Sequence, residues 1–143
     1  MSNKMIAVSA CLAGFNCRYS GDNHELENIV QLIKEGKALP LCPEQLGGLP
    51  TPRDPAEITP TQKVVTANGE DYTEAFVRGA QETLRLCKLF DCQTAILKAK
   101  SPSCGCGQIY DGTFSKTIIA GDGITARLLK ENGITVMTEN EFE

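Results

Sequence analysis

The sequence has one histidine, His24, and no Cys-x-x-Cys pair. The lone imidazole, placed at an expected helix start as a cap or surface residue, argues against Cys–His catalysis. The missing close pair argues against structural zinc, which normally draws on ligands two to four residues apart. No apolar run approaches a membrane span, and the apolar part of MSNKMIAVSACLAG is too short for a signal peptide, so a cytoplasmic location is expected. Positive charge is not in excess: 14 Lys and Arg stand against 18 Asp and Glu, a net charge of −4. That argues against binding bulk nucleic acid through its phosphates, but not against a small, neutral, base-like ligand. No internal repeat or low-complexity tract interrupts the chain.

What the chain does have is seven cysteines in 143 residues. A reducing compartment and an odd count both argue against a disulfide framework. The length fits one domain, residues 1–143, able to bury roughly two-thirds of its unfolded surface.

Short apolar runs alternate with amphipathic ones. Met5–Ala10, Ala38–Cys42, Thr94–Ala99 and Ile134–Met137 read as strands, with Lys63–Ala67 and Ile118–Ala120 as brief additional ones. Helices are expected over His24–Lys34, stopped by Gly36, over Asp71–Phe90, and over Asp122–Asn132 with Asp122 as its cap. Six of the seven prolines fall between Pro40 and Pro60, so Pro43–Pro60 is expected to be a long loop without regular structure, a kind that is usually functional. The alternation implies an α/β fold: a mainly parallel sheet flanked by helices in a Rossmann-like three-layer arrangement, with the active site at the carboxyl ends of the strands.

The cysteines divide against that frame. Cys87 lies on the apolar face of a helix with Phe76 and Ala80, and Cys92 in a short link; both read as core. Cys11 and Cys104 each follow a strand and Cys42 ends one, all among Gly, Pro or Ser, and so they point from distant parts of the chain to one rim. Widely separated single thiolates suit an iron–sulfur cluster, whose irons each need one ligand. Three ligands would leave an iron open to substrate, whereas four would favour electron transfer. Cys17 and Cys106 are weaker candidates for a fourth ligand, with a resolving or sulfur-carrying role also open. Glu44, two residues after Cys42, is the acid–base candidate, against a plain loop carboxylate. Arg18 and Arg53 either close salt bridges across the loops or bind a phosphate. Ser9, Ser103 and Tyr19 are weaker site candidates. Gly121-Asp122-Gly123 could offer amides to an anion, but a tight turn with Asp122 capping the helix explains it better.

The stretches SACLAGFNCRYSG, LCPEQLGGLPTPRDPAEI, ILKAKSPSCGCGQIYDGTF and GDGITARLLKENGI, in that order, resemble the short, single-domain thiouracil desulfidase family over nearly the whole chain. The resemblance implies a 4Fe–4S cluster on three cysteines, here Cys11, Cys42 and Cys104, and non-redox removal of sulfur from thiolated uracil. It also implies acid–base work for Glu44 and proton transfer or substrate positioning for Ser101; Ser9, Ser103 and Arg18 are the weaker candidates for substrate contacts. The expected partner is a small thiolated pyrimidine, as base, nucleoside or nucleotide, whose sulfur meets the open iron; the products are uracil and hydrogen sulfide. Two other readings stay open: a non-catalytic metal-binding protein and a persulfide sulfur carrier.

Overall fold

The computed structural model describes residues 5–142. Strand β1 (Ile6–Ser9) runs into a single 3₁₀ turn (Ala10–Ala13), then helix α1 (Glu27–Lys34) and β2 (Ala38–Leu41). A short helix α2 (Pro43–Leu46) and the strands β3 (Ala56–Ile58) and β4 (Val64–Thr66) lead to the long helix α3 (Thr73–Leu89). Strands β5 (Thr94–Leu97), β6 (Gln108–Tyr110) and β7 (Ile118–Ala120), helix α4 (Ile124–Glu131) and β8 (Thr135–Thr138) complete the order.

The main sheet runs β2-β1-β5-β8, and each of its three pairings is parallel. Helices cover both faces, as the continuous apolar strands require. The period of two divides the residues. Ala7, Leu41, Ala95 and Leu97 face one core with Cys87, Ala126 and Leu129, whereas Val8 and Ile96 face the other with Leu12 and Ile29. Each large aliphatic side chain removed from water contributes about 1.5–3 kcal/mol, so these two layers hold the sheet. A third, smaller core of Ile58, Val64, Phe76 and Ile109 seats the β3–β4 and β6–β7 hairpins beside α3.

Three expectations need correction. The proline-rich stretch is not irregular throughout: Pro43 stands at the first turn of α2, where its missing N–H is no loss, and β3 pairs with β4. Helix α1 starts three residues later than expected, because the amides of His24 and Leu26 donate to the carbonyls of Cys11 and Leu12 at 2.9 Å each and hold that segment extended. Asp122 does not cap α4, whose N-cap is Gly123. Instead its Oδ1 accepts the Gly107 amide at 2.8 Å and its carboxylate pairs with Lys130 at 3.1 Å, closing the loop after Cys106.

Helices α2 and α3 meet backbone to backbone. A Cβ on Gly47 would collide with the Ala75 carbonyl oxygen, and one on Gly79 with the Pro43 carbonyl oxygen. Only glycine permits that approach.

Candidate active site

Because the four strands are parallel, their carboxyl ends share one edge of the sheet, and the loops leaving β1, β2 and β5, with the β6–β7 hairpin, surround a cavity of about 520 Å³. Cys11 reaches it from the 3₁₀ turn after β1, Cys42 from the N-cap of α2 after β2, and Cys104 from the loop after β5. Cys17, Glu44, Ser101, Ser9 and Arg18 line the same cavity. Two sequence candidates do not. Ser103 is buried and its hydroxyl lies 2.7 Å from that of Thr125, tying the Cys104 loop to α4. Cys106 points away, 3.5 Å from the Val136 carbonyl.

The hydrogen bonds show how the thiols are held. Ser9 Oγ accepts the Lys98 amide at 2.9 Å and donates to Cys104 Sγ at 3.4 Å, so β1, β5 and the cysteine loop lock together. Ser101 Oγ accepts the amides of Ser103 and Cys104, both at 3.1 Å, which leaves its own proton for Glu44 Oε2 at 3.5 Å. Cys42 Sγ lies 3.8 Å from Glu44 Oε1. Arg53 completes the group: Nη2 stands 3.7 Å from Glu44 Oε2 and donates to the Cys17 carbonyl at 3.2 Å. The side chains of Arg53 and Glu44 are 5% and 12% exposed, so this ion pair is shielded from water and salt. The salt-bridge reading of Arg53 therefore holds, and its partner is the acid–base candidate. Arg18 pairs with Asp22 at 3.3 Å, and its guanidinium carbon lies 5.7 Å from the centre of the Tyr19 ring, at the rim.

Cys17, Cys42 and Cys104 lie in an environment that disfavours free thiolates. The Cys17 thiol is pushed up to about 11, first by its hydrogen bond with Cys11 and further by burial. Cys42 is raised by its hydrogen bond with Cys17, by burial and by the charge of Glu44; Cys104 is raised by burial and by Glu44. A metal centre would supply the positive charge that such thiolates need, displacing their protons. Among the described residues no three His, Cys, Asp or Glu side chains are grouped to hold a single metal ion. Thiols distributed around a cavity wall instead fit a cluster that takes one thiolate per iron, and the all-sulfur donor set matches its softness.

Two residues that hold the site carried no signal in the sequence. Glu139, buried after β8, pairs with Lys98 at 3.0 Å and accepts the Ala99 amide at 2.7 Å, fixing the exit of β5. Glu57 binds the β6–β7 turn through backbone amides. Neither lies near a cysteine in sequence, so only the fold brings them in.

Comparison with known proteins agrees with this arrangement. The chain is similar to a solved [4Fe-4S]-dependent thiouracil desulfidase, TudS, at a TM-score of 0.93 and 45% identity, covering 97% of this chain and 93% of that one. It is 50% identical over 147 residues to the uncharacterized protein YbbK of Bacillus subtilis (strain 168), across 96% of this chain and 97% of that protein. A family model described as 2-thiouracil desulfurase matches residues 6–141. With nearly its whole length matched, the chain belongs to the 2-thiouracil desulfurase family.

Proposed function

We propose that this protein is a 4Fe–4S-dependent desulfidase that converts thiolated uracil and water to uracil and hydrogen sulfide without net oxidation or reduction. The observation that carries the reading is the convergence of Cys11, Cys42 and Cys104 with Glu44 and Ser101 on one cavity. The three cysteines would hold the cluster. When bound, it supplies a soft, Lewis-acidic iron without a protein thiolate, suited to polarising a thiocarbonyl.

The chain's own residues handle water and protons. Glu44 takes a proton from the water that adds to the ring carbon, and Arg53 keeps its carboxylate turned toward Ser101. Ser101, its oxygen fixed by two amides, passes a proton between Glu44 and the ring nitrogen. Ser9 orients the Cys104 sulfur. Arg18 and Tyr19 border the entrance to the cavity, where the part of the substrate beyond the ring would lie. Ser103 acts only through its bond to Thr125, holding the Cys104 loop.

The test is sulfide release by anaerobically reconstituted protein given 4-thiouracil, 4-thiouridine and 4-thiouridine monophosphate side by side. A brown protein that releases sulfide and forms the oxygenated pyrimidine supports the proposal. A colourless protein with stoichiometric zinc after the same reconstitution would overturn it.

A further inference from the structure

Five non-glycine residues among those described have positive φ, and three of them, Lys100, Phe114 and Lys116, line this one cavity. Side chains disfavour that conformation, and it persists where neighbouring structure over-determines it. For Phe114, at φ +59°, the neighbouring structure is visible. Glu57 Oε1 accepts the amide of Gly112 at 3.0 Å and that of Phe114 at 3.1 Å. Gly112, at φ +94°, lies so close to β3 that a Cβ would sit 2.7 Å from the Ile58 carbonyl oxygen. Asp111 Oδ1 accepts the Thr113 amide at 2.9 Å, shaping the same turn from within. No salt bridge engages Glu57 among the described residues, so its carboxylate is given to the backbone of this turn.

We infer that Glu57 is a positioning residue that pins the turn between β6 and β7 over the cavity, and that Phe114, so held, is the aromatic face against which a thiolated pyrimidine ring lies. The inference rests on the proposed function and extends it to the part of the cavity lining that the β6–β7 hairpin supplies. A flat ring needs an apolar surface to fix its plane while its sulfur is directed elsewhere, and stacking on an aromatic side chain supplies that. Phe114 is half-buried at the cavity wall with Tyr110 beside it on the same hairpin. Thr113 and Ser115, on either side of Phe114, are exposed. Asp111 closes the turn from within, through its Oδ1 and its amide's bond to the Thr117 carbonyl at 3.0 Å, whereas the two bonds to one Glu57 oxygen tie it across to β3.

That single oxygen makes the test sharp, because Glu57→Gln keeps it and Glu57→Ala removes it. Amide hydrogen exchange across residues 111–117 should accelerate in Glu57→Ala and stay near the wild-type rate in Glu57→Gln. In reconstituted enzyme with unchanged cluster absorbance, Glu57→Ala and Phe114→Ala should each raise KM for 4-thiouracil by about tenfold, the scale of one base–aromatic stacking contact, with kcat moving much less. The double variant should be no worse than Phe114→Ala alone, since the two act as one unit. Calorimetric titration of 4-thiouracil into the reconstituted variants should follow the same pattern.

Unchanged exchange in Glu57→Ala, independent multiplication of the two effects, or a kcat loss at constant KM would each overturn the inference. Failure of the proposed function reads differently. Wild-type holoenzyme that binds 4-thiouracil but releases no sulfide would sink the desulfidase reading, and the exchange and titration results would still decide the role of Glu57.

Discussion

Two groups of buried or half-buried cysteine occupy opposite ends of the same sheet. Cys87 and Cys92 lie below it, where α3 turns into β5, packed with Ala7, Leu97 and Leu129. Burial pushes the Cys87 thiol up to about 12, with Cys92 the main neighbour. Cys11, Cys17, Cys42 and Cys104 lie at the carboxyl edge around a cavity, beside Glu44 and Arg53. Burial alone therefore does not distinguish a chemical thiol from a packing one. The distinction lies in what else the sulfur meets: Cys104 packs in the same apolar cluster as Cys87 and Cys92, and Cys11, Cys17 and Cys42 in the other, but these four also line the cavity that holds the Glu44–Arg53 ion pair.

Variants should separate the two groups, beginning with the largest effect. Cys42→Ala or Cys104→Ala should lose bound iron, from about four per chain, and abolish sulfide release, read by iron analysis and a sulfide assay. Glu44→Gln should keep the cluster absorbance and lower kcat by about 10²–10⁴-fold, the range for loss of a general acid–base group. Unchanged turnover there would remove Glu44 from the mechanism. Cys87→Ala should keep full iron and activity but unfold at lower denaturant, by about 1–2 kcal/mol, as a core truncation does.

The pair at the lower end also predicts a pH response of the metal-free protein. The folded Cys87 thiol ionises only near pH 12, whereas an unperturbed thiol ionises near 9. Between those values the folded chain holds more protons than the unfolded one, so stability falls as pH rises through this window. In Cys87→Ala, denaturant midpoints from pH 8 to 12 should fall less steeply. Cys106→Ala should have the smallest effect, with iron content and kcat within about twofold of wild type, because its sulfur meets the Val136 carbonyl rather than the cavity.

Much of this contrast is readable from the sequence. Apolar runs at Met5–Ala10 and Thr94–Ala99 could only be buried strands, and the helical spacing of Phe76, Ala80 and Cys87 located α3 within two residues at its start and one at its end. The inference that Cys11, Cys42 and Cys104 share a rim needed only parallel strands, which the pairings supply. Less legible were the elements whose reasons are tertiary. Strand β6 has three residues and exists because β7 pairs with it; Lys100 bridges to Ile109 alongside. Ser103 reads like Ser101 in sequence, yet one hydroxyl faces Glu44 and the other Thr125. The Asp122 cap failed for a similar reason, since a more distant amide and a lysine claimed its carboxylate.

The contact between α2 and α3 has a consequence for how the protein tolerates change. Cys42 and Glu44 are carried by a helix of one turn, too short to hold its place by its own hydrogen bonds. Its position is set where Gly47 and Gly79 let two main chains touch. A survey of random substitutions should therefore mark these two glycines as intolerant, although neither lines the cavity. Anyone grafting this thiol and carboxylate onto another scaffold would have to transplant the seat as well as the side chains.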